Sequence, residues 1–208
     1  EDTITCATPS ITLQASGASN YNWAFNGSGS STVSVTGDGI YSVTGTGING
    51  CTAIANYQIF EDLIVPLVTI SNPSNNVQLT CDSTDIDVVA QGATSYLWEE
   101  ATIGVVGNSA AYTISNPGVY SVTGALSNGC FSEAFITVSE NVDAPTASIQ
   151  NNTGNQTELT CQLDTISLTA TGGVAYSWSN GVTVVSSDAD FIAGTPGVYT
   201  VTVTAQNG

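Results

Sequence analysis

The sequence contains no lysine, no arginine and no histidine. With seventeen aspartates and glutamates and no side-chain cation, its formal net charge is −17, and no side-chain salt bridge can form within it. Folding must rest on apolar burial, sheet hydrogen bonds and disulfides. The same absence excludes functions. Phosphate clamps and nucleic-acid binding are built on Arg and Lys, so a nucleic-acid partner is not expected. Ser-His-Asp and Cys-His systems, lysine Schiff bases and histidine-ligated metals have no residues to form them. Carboxylates, hydroxyls, thiols and the backbone are all that remain for chemistry.

Long apolar runs are missing too. No stretch approaches the ~20 residues of a membrane span, so membrane insertion is not expected. The opening EDTITC does not read as a signal peptide, and the first residue reads as a processing point or an edge within a longer polypeptide. Glu99-Glu100 is the paired-carboxylate candidate for glycoside hydrolysis. Neighbours on a strand face opposite sides and could not flank one bond, so no catalytic residue is assigned and no enzyme is expected.

What the sequence does have is a repeat. Cys6, Cys81 and Cys161 are each followed seventeen residues later by a tryptophan, at Trp23, Trp98 and Trp178, in the contexts YNW, YLW and YSW. Each tryptophan is followed by a Gly-x-Tyr, ending at Tyr41, Tyr120 and Tyr199. Ten residues beyond the first two tyrosines stand Cys51 and Cys130, each directly after Asn-Gly. The same count from Tyr199 reaches one position past Gly208. Prolines mark the joints, with Pro66 and Pro145 fifteen residues after Cys51 and Cys130. The expected boundaries are 1–63 for a first repeat lacking its first strand, 64–143 for a complete second, and 144–208 for a third lacking its last strand.

Within a repeat the apolar period is two, as in Ile166, Leu168 and Ala170 or Tyr199, Val201 and Val203. This is the pattern of half-buried antiparallel strands. Helical signals are nearly absent, so the fold class expected is all-β: three tandem immunoglobulin-like β-sandwich repeats, the first and last incomplete. The tryptophans would fill the sandwich cores, and the tyrosine after Gly-x would form a tyrosine corner; a sugar-binding aromatic surface is the alternative. Asn49-Gly50, Asn128-Gly129 and Asn207-Gly208 suit type I′ hairpins, which need φ > 0 at both central positions.

Five cysteines leave one unpaired, and a chain of this composition reads as secreted, where disulfides persist. Pairing within repeats would join Cys6 to Cys51 and Cys81 to Cys130, leaving Cys161. Pairing between repeats would join Cys51 to Cys81 and Cys130 to Cys161, leaving Cys6. The first is the simpler scheme, although its cysteines can fall at opposite ends of a sandwich, beyond the ~7 Å a disulfide spans.

The combination ELTC, TISLTATGG, YSWSNG and TPGVYTVTVTAQNG resembles the tandem immunoglobulin-like or PKD-like repeats of very large Bacteroidota cell-surface adhesins, the gliding adhesins of the SprB type among them. The resemblance covers the whole chain. It implies type IX secretion, an extracellular, cell-surface location and a repetitive array with no cofactor, in which this chain is a non-catalytic acidic stalk of an adhesin or fibre. Uniform negative charge favours extension. Lys-Asn isopeptide crosslinks are impossible without lysine, so disulfides must provide any covalent reinforcement. The partners implied are adjacent repeats of the same longer chain, surface polysaccharide or other copies of itself. A carbohydrate-binding or spacer module of a secreted hydrolase and a filament subunit are the competing readings; for the former, Tyr57, Tyr112, Phe25 and Phe191 are the aromatics left over.

Two further expectations are narrower. Glu61, Asp62, Glu140 and Asp143 gather at the joints, where calcium could bind between domains, although no Asp-x-Asp-x-Asp-Gly loop is present. Asp followed by Thr or Ser and then Ile or Thr, in DTI, DST and DTI, resembles the Bacteroidota O-glycosylation motif and would mark Thr3, Ser83 and Thr165.

Overall fold

The computed structural model describes residues 2–208. The strands of the first repeat are β1 (Asp2–Thr5), β2 (Ile11–Gln14), β3 (Asn20–Trp23), β4 (Thr32–Val35), β5 (Gly39–Thr46) and β6 (Thr52–Asp62). The second repeat contains β7 (Thr69–Ser71), β8 (Gln78–Thr80), β9 (Ile86–Gln91), β10 (Ser95–Glu100), β11 (Gly104–Gly107), β12 (Ala111–Ile114), β13 (Gly118–Ala125) and β14 (Phe131–Asn141). The third contains β15 (Ser148–Asn151), β16 (Ile166–Thr171), β17 (Ala175–Ser179), β18 (Val184–Ser186), β19 (Asp190–Ala193) and β20 (Thr200–Thr204).

In the second repeat one sheet has the order β12-β9-β7 and the other β11-β10-β13-β14-β8. Its leading segment is divided between them: β7 pairs antiparallel with β9, and β8 pairs parallel with β14. Two sheets sharing a split first strand make an immunoglobulin-like sandwich. The first repeat has β1-β6-β5-β3 and a two-stranded β2-β4; the third has β15-β16-β19 and β18-β17-β20. The chain is therefore all-β, in tandem immunoglobulin-like repeats. Among the described residues the first has no counterpart of β7 and the third none of β14.

By compactness the chain divides into two units. One comprises the chain up to Pro73 with Asp87–Thr113 and Gly118–Thr137; the other comprises Ser74–Ile86, Ile114–Pro117 and Val138–Gly208. Each site described below lies inside one unit.

The tryptophans hold the same place in every repeat. Trp23 stands opposite Val43, Trp98 opposite Val122 and Trp178 opposite Val201. Trp98 and Trp178 are fully buried and Trp23 is 3% exposed, which makes them core and not a sugar platform. A buried indole needs a partner for its N–H, and each donates to a backbone carbonyl: Ser30 at 2.9 Å, Ser109 at 2.9 Å and Asp188 at 3.0 Å. Trp23 meets Phe25 edge-on, Trp98 stacks on Tyr112 and Trp178 on Phe191, and Tyr41, Tyr120 and Tyr199 pack in turn against those second rings. Of the four leftover aromatics, Tyr112 and Phe191 are thus half-buried against the core tryptophans, Phe25 lies exposed at the edge of Trp23, and the Tyr57 hydroxyl donates to Asp2.

The tyrosine corner is present. Tyr41 donates to Gly37 O at 2.8 Å and Tyr199 to Thr195 O at 3.0 Å, each tying down the loop four residues upstream. Tyr21, Tyr96 and Tyr176 close the preceding turns by donating to Ala18, Ala93 and Gly173 carbonyls.

Glu99 and Glu100 do take opposite faces, and Glu100, on the Trp98 side, is buried. Its Oε2 accepts the Thr102 hydroxyl at 2.6 Å and the Thr102 and Ile103 N–H groups at 2.9 Å each, fastening the turn between β10 and β11. The Thr102 hydroxyl, helped by these N–H groups, holds the carboxyl below the usual glutamate range against the opposing effect of desolvation. A carboxylate with a lowered folded-state pKa stabilises the fold above its unfolded value, and that contribution is lost as pH falls through the folded value. Glu100→Gln should therefore lower the melting temperature at neutral pH and flatten its decline over roughly pH 5 to 3, as read by circular dichroism.

Candidate functional site: the joint between repeats

The feature that distinguishes this chain from isolated sandwiches is how consecutive repeats are fastened. Cys6 is bonded to Cys130, across 124 residues, with Cα atoms 5.0 Å apart. Cys6 lies in a turn closed by Thr5 N–H to Thr8 O at 3.0 Å, directly after β1. Cys130 ends the hairpin between β13 and β14.

That hairpin is not the expected type I′ turn. Gly129 has φ 80°, but Asn128 is not left-handed. Leu126 N–H donates to Cys130 O and Gly129 N–H to Leu126 O, which is a type I turn followed by a left-handed glycine. The asparagine side chain explains the choice. Asn128 Oδ1 accepts Cys130 N–H at 3.0 Å, while Nδ2 reaches Asp62 O at 3.3 Å, Asp62 Oδ1 at 3.0 Å and Ile64 O at 3.0 Å. Asn128 is accordingly buried.

The linker is held at further points. The Ser132 hydroxyl donates to Pro66 O at 2.6 Å and accepts Val68 N–H at 3.3 Å. Ala7 N–H donates to Asn128 O at 3.1 Å. Gly129 presses against the backbone of Ala7 so closely that a Cβ would collide with it. Linker carbonyls at 62, 64 and 66 therefore all receive side-chain donors from the next repeat, where a free linker would leave them to water.

The second unit contains the same arrangement around Asn207. Its Nδ2 reaches Asn141 O at 3.0 Å, Asn141 Oδ1 at 3.1 Å and Asp143 O at 3.0 Å, and Cys81 N–H donates to Asn207 O at 2.9 Å. Gly208, at φ 95°, lies against Asp82 as Gly129 lies against Ala7. Cys51, Cys81 and Cys161 are exposed thiols.

Both pairing schemes read from the sequence are thus corrected. β1 runs parallel to β6 with Thr5 opposite Asp62, so Cys6 leaves at the far end of β6 from Cys51, about 35 Å along an eleven-residue strand. Thr80 stands likewise opposite Asn141, placing Cys81 at the far end of β14. The observed bond does join neighbouring repeats, but from the first cysteine of one to the second cysteine of the next, the reverse of the alternative scheme.

The remaining candidate residues are dispersed. Asp62 already accepts the Asn128 amide and Ile64 N–H, and the equivalent position in the second unit is the neutral Asn141. The position therefore serves hydrogen bonding in both units, with or without a charge. Among the described residues no group of three His, Cys, Asp or Glu is placed to hold a metal ion. Of the hydroxyls singled out for glycosylation, Thr165 is exposed directly before β16, Ser83 accepts Asn76 Nδ2 at 3.1 Å, and Thr3 lies within β1.

No protein-family model and no curated protein matches the sequence. Solved structures similar to the chain include the amphioxus IgVJ-C2 molecule, at 16% identity over 62% of this chain and 96% of that one, with a TM-score of 0.31. Another is the Down Syndrome Cell Adhesion Molecule (DSCAM) isoform 1.30.30, N-terminal eight Ig domains, at 9% identity over 89% of this chain and 31% of that one, with the same TM-score. The chain spans about a third of the length of that second structure. At these TM-scores the likeness carries no argument; the fold assignment rests on the strand pairing.

A crosslink closing a loop of this length stabilises by up to about 5 kcal/mol on the chain-entropy model. A Cys6→Ala, Cys130→Ala variant should melt well below the parent, and a reducing agent should lower the parent's melting temperature while leaving the variant's unchanged.

Proposed function

We propose that the chain is a load-bearing, non-catalytic segment of a long secreted cell-surface adhesin or fibre, of the kind its repeats resemble, with surface polysaccharide or neighbouring repeats as its contacts. The observation that carries this reading is the Cys6–Cys130 bond, which joins one repeat to the next instead of stapling a single sandwich. A binding module needs no such bond. A stalk under tension does, and without lysine a disulfide is the covalent fastener this composition leaves. The stacking of the half-buried Tyr112 and Phe191 on core tryptophans favours the stalk over a sugar-binding platform. Thr165 is the exposed hydroxyl we carry forward as a glycan acceptor.

The free cysteines fit the same scheme as half-joints. Cys6, Cys81 and Cys161 sit in equivalent turns, closed by Thr5 to Thr8, Thr80 to Ser83 and Thr160 to Leu163. Cys51 ends a hairpin closed like that of Cys130, with Gly47 N–H donating to Cys51 O. Each would bond a cysteine of an adjoining repeat. The two thiols would give up two protons and two electrons to the disulfide of an oxidised dithiol donor, through a mixed disulfide.

Pulled by its ends in a single-molecule force experiment, the oxidised chain should shield the residues between Cys6 and Cys130. Reduction should lengthen the fully extended chain by about 400 Å; equal lengths in both states would sink the load-bearing reading. A chain extended by one cysteine directly after Gly208 should link that residue to Cys81 in non-reducing peptide mapping with an acid-specific protease. A Cys81 that remains open to iodoacetamide would reject the half-joint assignment.

A further inference from the structure

We infer that the first repeat carries a strand-acceptor groove, and that its occupant is an extended Pro-apolar-Val-Thr-Ile segment presented in cis ahead of β1. The inference deepens the reading of the chain as an array, yet its test does not depend on load bearing.

Three independent comparisons within the molecule define the groove. The first is a sheet edge. β9 is flanked by β12 and β7, and β16 by β19 and β15, whereas β2 pairs with β4 alone among the described residues. Ala15 N–H donates to Ser31 O, toward β4, so the N–H groups of Gln14 and Ser16 point to the vacant side by strand alternation. The counterparts of Gln14, Ala15 and Ser16 in the second repeat are Val89, Ala90 and Gln91, which pair with Ser71, Ile70 and Thr69.

The second is a row of glycine cradles. Gly17, Gly92 and Gly172 all have positive φ, at 89°, 95° and 107°. The Leu67 carbonyl lies where a Cβ on Gly92 would be, and the Thr146 carbonyl does the same at Gly172, but Gly17 faces open space. Its backbone is shaped for a carbonyl that no described residue provides.

The third is the exposed inner face of β6. Its positions Ala53, Ala55 and Tyr57 are exposed, while their counterparts on β14, Ser132, Ala134 and Ile136, are half-buried. The groove these features border has a volume of about 750 Å³ and reaches down to Leu13 and Trp23.

The groove also selects a side chain. In the second repeat Val68 packs onto Gly124, which stands opposite Tyr96. In the third repeat the position opposite Tyr176 is Val203, and the residue after the carbonyl at Gly172 is the smaller Ala147. Large and small are exchanged, as close packing demands. The first repeat has Gly45 opposite Tyr21, so its occupant should follow the Pro-Leu-Val pattern of 66–68 rather than the Pro-Thr-Ala pattern of 145–147. A second copy of this chain is a poor donor, because β7 and β15 are both already paired. A segment in cis needs only its high effective concentration.

The test uses the full chain with a copy of residues 66–75 fused ahead of Glu1. Hydrogen exchange should slow at Gln14 and Ser16 by tenfold or more relative to the parent chain, with Gly172 and Tyr176 unchanged as a control for folding. Alanine at the position of Val68 in the added segment should forfeit about tenfold of that protection. Unchanged exchange at Gln14 and Ser16 in the extended chain would overturn the inference. Protection that grows with concentration in the unextended chain would also overturn it, in favour of a second copy.

Discussion

Parallel pairing of the strand before the first cysteine with the last strand of the same repeat sets the geometry of everything else. Because β1 lies beside the C-terminal half of β6, Cys6 is delivered to the end where the chain departs for the next repeat. Antiparallel pairing there would have brought the two cysteines of one repeat to the same end and produced closed, independent domains. As it is, the first cysteine faces forward and the second faces back. The joint, with its asparagine and its disulfide, follows from that single choice of strand direction.

A chain without cations must also satisfy its carboxylates by other means. Hydroxyls do much of this work. Thr113 donates to Asp87 and Thr169 to Asp190, at 2.6 and 2.5 Å, across the equivalent strand pair in two repeats with donor and acceptor strands exchanged. Ser115 donates to Asp85 and Thr102 to Glu100, at 2.6 Å each. Such bonds hold a carboxylate without a compensating charge, so the negative surface persists undiminished. Abundant threonine thus serves both β propensity and electrostatics.

The repeat, its sandwich fold and its core aromatics were legible because each depends on local spacing: period two for strands, seventeen residues from cysteine to tryptophan, four from tyrosine to its corner. Cysteine connectivity was not legible. It depends on whether a short strand pairs parallel or antiparallel with a partner more than fifty residues away, and no local pattern records that direction. The Asn-Gly turn misled for a related reason. The dipeptide favours type I′ in isolation, but the Asn128 side chain has three tertiary hydrogen bonds to make, to Asp62 and Ile64, and those outweigh a turn preference. Tyr112 and Phe191 looked scattered because each lies on a different strand, β12 or β19, from the tryptophan it covers.

The distance of 124 residues between Cys6 and Cys130 has a consequence in time as well as in space. A polypeptide that emerges from its N-terminal end exposes Cys6 well before Cys130 exists outside. In that interval Cys51 is the nearer thiol along the chain, and a bond to it would lock the repeat in a wrong shape. Once β1 has docked on β6, the length of that strand stands between the two thiols. The folded first sandwich thus holds its own two cysteines apart, and the partner of Cys6 is supplied by the last hairpin of the following repeat.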